Sequence, residues 1–156
     1  MAVQTVFKRY ELKYLMTREQ HDLLLKIMAG HMELDKYGHT TIRNIYFDTV
    51  NYRLVRHSIE GPPYKEKLRV RSYSHVSGSD NVFVELKKKY RSVVYKRRLV
   101  LPLDVTMDAL TMHHNLPVQS QIADEINYFC NYYSTLRPAV FLSYEREAFY
   151  STDGSD

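Results

Sequence analysis

Basic residues recur at every second position of one short segment, and this alternation limits the fold more than any other feature of the chain. Lys67, Arg69 and Arg71 alternate with Leu68 and Val70. Successive side chains of a β-strand point to opposite faces of a sheet, so the segment would have one basic face and one apolar face. The alternation therefore predicts a half-buried strand.

Two later segments repeat the pattern. Apolar residues alternate with charged ones between Val82 and Lys89, and again between Val93 and Leu101. The side chains predicted on the basic face are Glu85, Lys87 and Lys89 on the first strand, with Lys96 and Arg98 on the second. Lys88 would point to the opposite face, so the three consecutive lysines do not form one surface. We therefore predict consecutive strands that share a basic wall.

Positive charge is concentrated in this part of the chain. Tyr64–Arg98 contains 11 basic and 3 acidic residues, a net charge of +8, whereas the whole chain carries only +4. A local field of that sign attracts phosphate groups, which Arg and Lys bind well. A simpler interpretation stays open, in which lysines on a solvated sheet face keep strand edges apart.

The remaining patterns predict an α+β chain with six strands and four helices. The predicted strands are Phe7–Leu15, Thr40–Phe47, Lys65–Tyr73, Val82–Lys89, Val93–Leu101 and Ala139–Tyr150. The predicted helices are one capped by Thr17, a short one capped by Asp48 and Thr49, Asp104–Asn115, and one marked by Ile122, Ile126, Phe129 and Tyr133. Cys130 belongs to the apolar stripe of the last helix and is predicted to be structural.

Composition excludes several classes of protein. One cysteine excludes an internal disulfide framework and a cysteine-based zinc site. The sequence contains no stretch of about 18 apolar residues, so no transmembrane helix is predicted. No signal peptide is evident either, and a cytoplasmic location is therefore expected. Nucleic-acid binding is not expected, because few aromatic side chains interleave with the basic face.

Six segments, in order, resemble the VTC domain, the polyphosphate polymerase domain of the vacuolar transporter chaperone family and its bacterial relatives. The segments are RYELKY (9–14), TIRNIYFDT (41–49), YKEKLRVRSY (64–73), VFVELKKKY (82–90), VVYKRRLVLP (93–102) and LSYEREAFY (142–150). The VTC domain belongs to the triphosphate tunnel metalloenzymes. Related cyclases and thiamine triphosphatases carry Glu-x-Glu-x-Lys on the first strand, and Arg9 in place of one Glu favours the VTC branch.

The resemblance implies an antiparallel β-barrel that forms a tunnel, with helices packed outside. It treats residues 1–156 as one VTC-like domain, the N-terminal larger part of the tunnel, with the family's C-terminal strands absent and the barrel incomplete. The substrate-binding residues it implies are Lys13, Arg43, Arg69, Arg71, Lys87, Lys96, Arg98 and Arg146. Lys87 and Arg146 are also the implied catalytic residues.

The resemblance also implies an activity. In the complete domain, the γ-phosphate of ATP would be transferred to a growing polyphosphate chain with Mn²⁺ or Mg²⁺ as cofactor. Glu85 is the implied metal ligand in this chain, although the family's main metal ligand lies beyond residue 156. Expected partners are polyphosphate, ATP or another triphosphate, together with a membrane protein; a homodimer is expected from the exposed strand edges of an incomplete barrel.

Two other functions stay open from the sequence. An inorganic triphosphatase would use the same tunnel with water as the acceptor. A polyphosphate sensor would bind the chain without turnover. All three functions require the same basic wall, so the sequence does not separate them.

Overall fold

The computed structural model describes residues 4–153, and its centre is a six-stranded antiparallel sheet beside a two-stranded one. The strands are β1 (Val6–Tyr10), β2 (Met32–Leu34), β3 (Thr40–Thr49), β4 (Tyr64–Ser72), β5 (Asn81–Tyr90), β6 (Val93–Pro102), β7 (Leu136–Arg146) and β8 (Phe149–Ser151). The helices are α1 (Arg18–Met28), α2 (Arg53–Ile59), α3 (Leu103–Met112) and α4 (Gln121–Tyr132). The predicted α+β class is confirmed.

The large sheet runs in the order β1-β6-β5-β4-β3-β7, and β2 pairs with β8. The sheet is not closed among residues 4–153, because β1 and β7 lie at opposite edges. The three strands with alternating charges lie side by side at its middle. Short connections join them, and Arg91 and Ser92 both adopt positive φ in the β5–β6 turn, as such tight hairpins require.

The apolar face of the sheet packs against helices. Leu68 and Val70 of β4, together with Val84 of β5, are almost fully buried in this core. Helix α4 contributes Ile126 and Phe129 to the same cluster. The opposite face, which carries the alternating charges, is called the cavity face below. Burying one face against helices therefore leaves the charged face to form a wall of its own.

The first helix is capped by Thr17 as the sequence predicts, whereas the N-cap of α2 is Tyr52 and the predicted caps Asp48 and Thr49 bond to its first turn from further back in the chain. Thr17 and Gln20 form a reciprocal capping box at the start of α1. Before α2, the Asp48 carboxylate accepts hydrogen bonds from the backbone N–H groups of Leu54 and Val55 at 2.9 and 3.0 Å. These bonds satisfy donors that a helix start leaves open, so they fix α2 against the end of β3.

The strand boundaries differ from the predictions at both ends of the described region. β1 ends at Tyr10, and the alternation that continues to Leu15 lies outside any strand. The last predicted strand divides into β7 and β8. β2 has no counterpart among the predictions, because three residues are too few to show periodicity and the strand exists only through its pairing with β8.

Candidate phosphate-binding cavity

The cavity face lines a cavity of about 1270 Å³ with a strong excess of positive charge. Among the described residues, ten basic and two acidic residues reach its wall. The basic residues are Lys13, Lys65, Lys67, Arg69, Arg71, Lys87, Lys89, Lys96, Arg98 and Arg146, and the acidic ones are Glu11 and Asp35. Such a concave cluster of one sign concentrates anions.

Strand register sorts the central residues into two rows. Lys67, Lys87 and Lys96 occupy paired positions across β4, β5 and β6, and we call them the lysine row. Arg69, Glu85 and Arg98 occupy the next paired positions on the same face, and we call them the arginine row. Two residues along a strand correspond to about 7 Å, so the rows can contact successive parts of an extended ligand.

Glu85 holds the centre of the arginine row and is fully buried. Its Oε2 accepts a 2.7 Å hydrogen bond from Nε of Arg69, whose Nη2 is also 2.5 Å away. Its Oε1 accepts bonds from Nε and Nη2 of Arg98, at 2.7 and 2.5 Å. Burial alone would raise the pKa of Glu85, but four surrounding cations outweigh this effect and lower the pKa to about 2. The carboxyl is therefore ionised at neutral pH.

Aromatic side chains support the cations of this wall. The guanidinium of Arg98 lies 4.5 Å from the ring centroid of Phe83, and Nζ of Lys96 lies 3.5 Å from that of Phe7. The hydroxyl of Tyr46 accepts a 2.8 Å hydrogen bond from Nη1 of Arg69. Cation–π contacts and hydroxyl bonds of this kind restrict where each charge can point.

Arg71 lies on β4 two residues beyond Arg69 and is held in place by hydrogen bonds. Its Nε donates to Oδ1 of Asn44 at 2.9 Å, and its Nη2 donates to the hydroxyl of Tyr144 at 3.2 Å. Nδ2 of Asn44 is buried and has no hydrogen-bond partner among residues 4–153. Unpaired buried donors of this kind are uncommon in folded proteins. Arg146, on the same strand as Tyr144, is exposed at the cavity wall.

The lysine row has acidic neighbours of its own, and Nζ of Lys96 lies 3.6 Å from Oε1 of Glu85. Nζ of Lys87 donates to Glu11 at 2.6 Å. Burial lowers the pKa of Lys67, the positive charges of Lys65 and Lys87 add to this effect, and Tyr46 opposes it. A bound anion would relieve the repulsion among these lysines. The row is therefore built to gain free energy from an anionic ligand.

The structure brings together most of the residues implied by the family resemblance. Seven of the eight implied substrate-binding residues line the cavity: Lys13, Arg69, Arg71, Lys87, Lys96, Arg98 and Arg146. Arg43 does not, and its Nη2 instead lies 3.0 Å from Nε2 of His75. Arg43 shares strand parity with Ile45 and Phe47, which pack on the helix side of the sheet.

Several cavity residues were not assigned a role from the sequence. Lys65, Lys67 and Lys89 line the wall through the alternation that placed their neighbours there. The alternation alone predicts Lys67 and Lys89 on the basic face, whereas the family resemblance assigns no binding role to any of these three lysines. Tyr46 at the wall and Asn44, a buried partner of Arg71, gave no such signal, because their contacts with Arg69 and Arg71 depend on the register of β3 against β4.

Glu85 does not fit the role of a metal ligand. A carboxylate has about four lone-pair positions, and N–H groups of Arg69 and Arg98 surround them here. Two further cations lie within 4 Å of its oxygens, Lys96 at 3.6 Å and Arg71 at 3.9 Å. In the described part of the chain, no group of three or more His, Cys, Asp or Glu is placed to hold a metal ion.

Comparison with known proteins gives one family and one fold. A family model described as "VTC domain" matches residues 8–156. A crystal structure of a Bacillus halodurans protein described as a "putative adenylate cyclase" is similar with a TM-score of 0.55 and 17% sequence identity. The match covers 92% of this chain and 65% of that one, so this chain spans less than two thirds of that protein's length. Among curated proteins, no sequence match is found.

Proposed function

The chain belongs to the VTC domain family, and on that premise we propose that its cavity binds the phosphate chain of polyphosphate or a nucleoside triphosphate. The observation that carries the proposal is the charge of the cavity wall, where ten basic residues face two acidic ones. A linear polyanion matches this wall better than a compact anion does, because the cations extend along several successive rows.

The same wall suits phosphoryl transfer. Transfer of a phosphoryl group depends mainly on alignment and on stabilising charge at the reacting oxygens. The arginine row and the lysine row offer both, and Lys87 and Arg146 are the residues we propose to contact the reacting phosphate. In the complete domain, we propose that the γ-phosphate of ATP passes to the end of a growing polyphosphate.

A divalent metal, Mn²⁺ or Mg²⁺, belongs to this proposal only through the family. It would neutralise phosphate oxygens when bound. Because the lone pairs of Glu85 are occupied by arginines, we assign no metal ligand in residues 4–153 and derive no step through the ion. No helix in that range is long and apolar enough to span a membrane. The cytoplasmic location, the membrane partner and the homodimer stay predictions.

Two neighbouring lysines test the cavity as the binding site. Lys87 points into the cavity, whereas Lys88 lies on the opposite face, 3.2 Å from Glu125. We expect Lys87→Ala to weaken tripolyphosphate binding by about 1.5–3 kcal/mol, the contribution of a charged hydrogen bond. Lys88→Ala should leave binding unchanged. Calorimetric titration of both variants measures this, and equal effects would contradict the proposal.

Product analysis separates the three activities. Incubation with ATP, with and without Mn²⁺, should give chains longer than three phosphates if the protein is a polymerase. Inorganic phosphate without longer chains would indicate a triphosphatase. Tight tripolyphosphate binding without any product would indicate a sensor.

A further inference from the structure

We infer that Glu85 is a positioning residue that fixes the guanidinium groups of Arg69 and Arg98 for phosphate recognition. The inference rests on the proposed function and deepens it, because it assigns the selectivity of the cavity to an acidic residue. It also replaces the metal-ligand role that the family resemblance implies for Glu85.

Both carboxylate oxygens of Glu85 are occupied by arginine. Each of its oxygens is approached by both Nε and Nη2 of one arginine, at 2.5–2.7 Å. The side chain is fully buried, so no water competes for these positions. A metal ion could reach either oxygen only by displacing an arginine, which would leave a buried cation without its partner.

Most hydrogen-bond donors of Arg69 and Arg98 already have partners in the protein. Both turn their Nε edges toward Glu85, and Arg69 uses Nη1 for the hydroxyl of Tyr46. Nη2 of Arg98 also donates to the hydroxyl of Tyr73 at 3.2 Å. The two side chains are only 11% and 12% exposed, so both forks are held before any ligand arrives.

Preorganisation of the two arginines predicts in which direction the removal of Glu85 changes anion binding. A planar guanidinium recognises phosphate by directed pairs of hydrogen bonds, and this recognition depends on its orientation. If Glu85 were only a counter-charge, its removal would make the cavity more positive and tighten anion binding. If it holds the forks in place, its removal frees two arginines and weakens binding. The two roles therefore predict opposite results.

Glu85→Gln distinguishes these roles, since the amide keeps the size of the side chain and removes the charge. We expect tripolyphosphate to bind roughly tenfold or more weakly to this variant, equally with and without Mn²⁺. Tighter binding would overturn the inference in favour of a counter-charge. A loss seen only with Mn²⁺ would overturn it in favour of a metal ligand.

Glu125→Gln is the matched control. Glu125 is also paired with two cations, Lys88 and Arg97, but on the opposite face of the sheet. The same change of charge there should leave tripolyphosphate binding within about twofold of wild type, because that face is screened from the cavity. If wild type itself does not bind tripolyphosphate, the proposed function fails; binding by wild type with unchanged binding by Glu85→Gln overturns only the positioning role.

A measurement on the wild-type protein covers the case in which Glu85→Gln does not fold. The Nε–H groups of Arg69 and Arg98 are bonded to a buried carboxylate. We expect their NMR signals to exchange with solvent at least tenfold more slowly than that of Arg43, which does not reach the cavity. Exchange as fast as for Arg43 would show that the forks are not fixed and would overturn the inference.

Discussion

The two faces of the central sheet handle charge in opposite ways. On the helix face, a groove between α2 and α4 is lined by three basic side chains, Arg53, Arg56 and Lys88, and three acidic ones. On the cavity face, ten basic residues meet two acidic ones at the wall. On the cavity face the charge comes mainly from side-chain alternation along the strands, whereas four of the six Arg, Lys and Glu residues of the groove belong to α2, its C-terminal cap and α4.

Two glutamates make this comparison specific. Glu125, on the helix face, pairs with Lys88 and Arg97 at 3.2 and 3.3 Å, and its side chain is 23% exposed. Glu85, on the cavity face, is fully buried among cations that outnumber it. The partly exposed cluster around Glu125 holds a helix in place, whereas the four cations around buried Glu85 keep positive charge available for a ligand.

The largest expected difference between the faces is in stability. Glu85→Ala should lower the free energy of unfolding by about 3–5 kcal/mol, because buried Arg69 and Arg98 lose their carboxylate. Glu125→Ala should cost less than about 1 kcal/mol, since its partners keep access to water. Urea denaturation measures both variants, and similar losses would remove the distinction between the two clusters.

Acid should remove the stabilisation that the buried Glu85 carboxylate provides. Folding lowers the pKa of Glu85 from 4.5 to about 2. Such a group stabilises the fold fully above its unfolded pKa, and this stability is lost as the pH falls through the folded value. We therefore expect the stability advantage of wild type over Glu85→Gln to shrink by roughly 3 kcal/mol as the pH falls from 4.5 to 2. Unfolding curves across this range test the prediction, and a constant difference would contradict it.

The smallest of the three differences concerns ligand binding by arginines on the two faces. Arg71 lines the cavity, whereas Arg97 is bonded to Glu125 on the helix face. Arg71→Ala should weaken tripolyphosphate binding by about 1.5–3 kcal/mol, and Arg97→Ala should change it less than twofold or so. Calorimetry compares the two, and a larger loss for Arg97→Ala would contradict the assignment of the faces.

The alternating pattern was enough to predict much of this arrangement. It placed Arg69, Arg71 and Lys87 on one face and Lys88 on the other, because strand parity is a local property. Thr17 and Asp48 indicated the approximate starts of two helices, because bonds from a side chain to a helix start also join residues nearby in the sequence. Local patterns thus predicted the face on which a side chain lies better than where a strand ends, since the alternation continues to Leu15 but β1 ends at Tyr10.

Features that depend on pairing between strands were not predictable. The burial of Glu85 requires β4, β5 and β6 to meet in one register, so that two arginines approach it from both sides. The short pair of β2 and β8 also exists only in the folded chain. In β3, apolar residues occur at both parities, Ile42 on one face and Ile45 on the other, so the direction of Arg43 was ambiguous.

The position of the arginine row in the chain also bears on the order in which the strands of the sheet pair during folding. Its three members lie within β4, β5 and β6, which are joined by connections of eight and two residues, so their pairing costs less chain entropy than pairing with a distant strand. The edge strand that carries Arg146 pairs with β3 only after the chain has passed through three helices and three strands. The charged centre of the cavity is thus formed from local parts of the chain, and a distant part completes the wall around it.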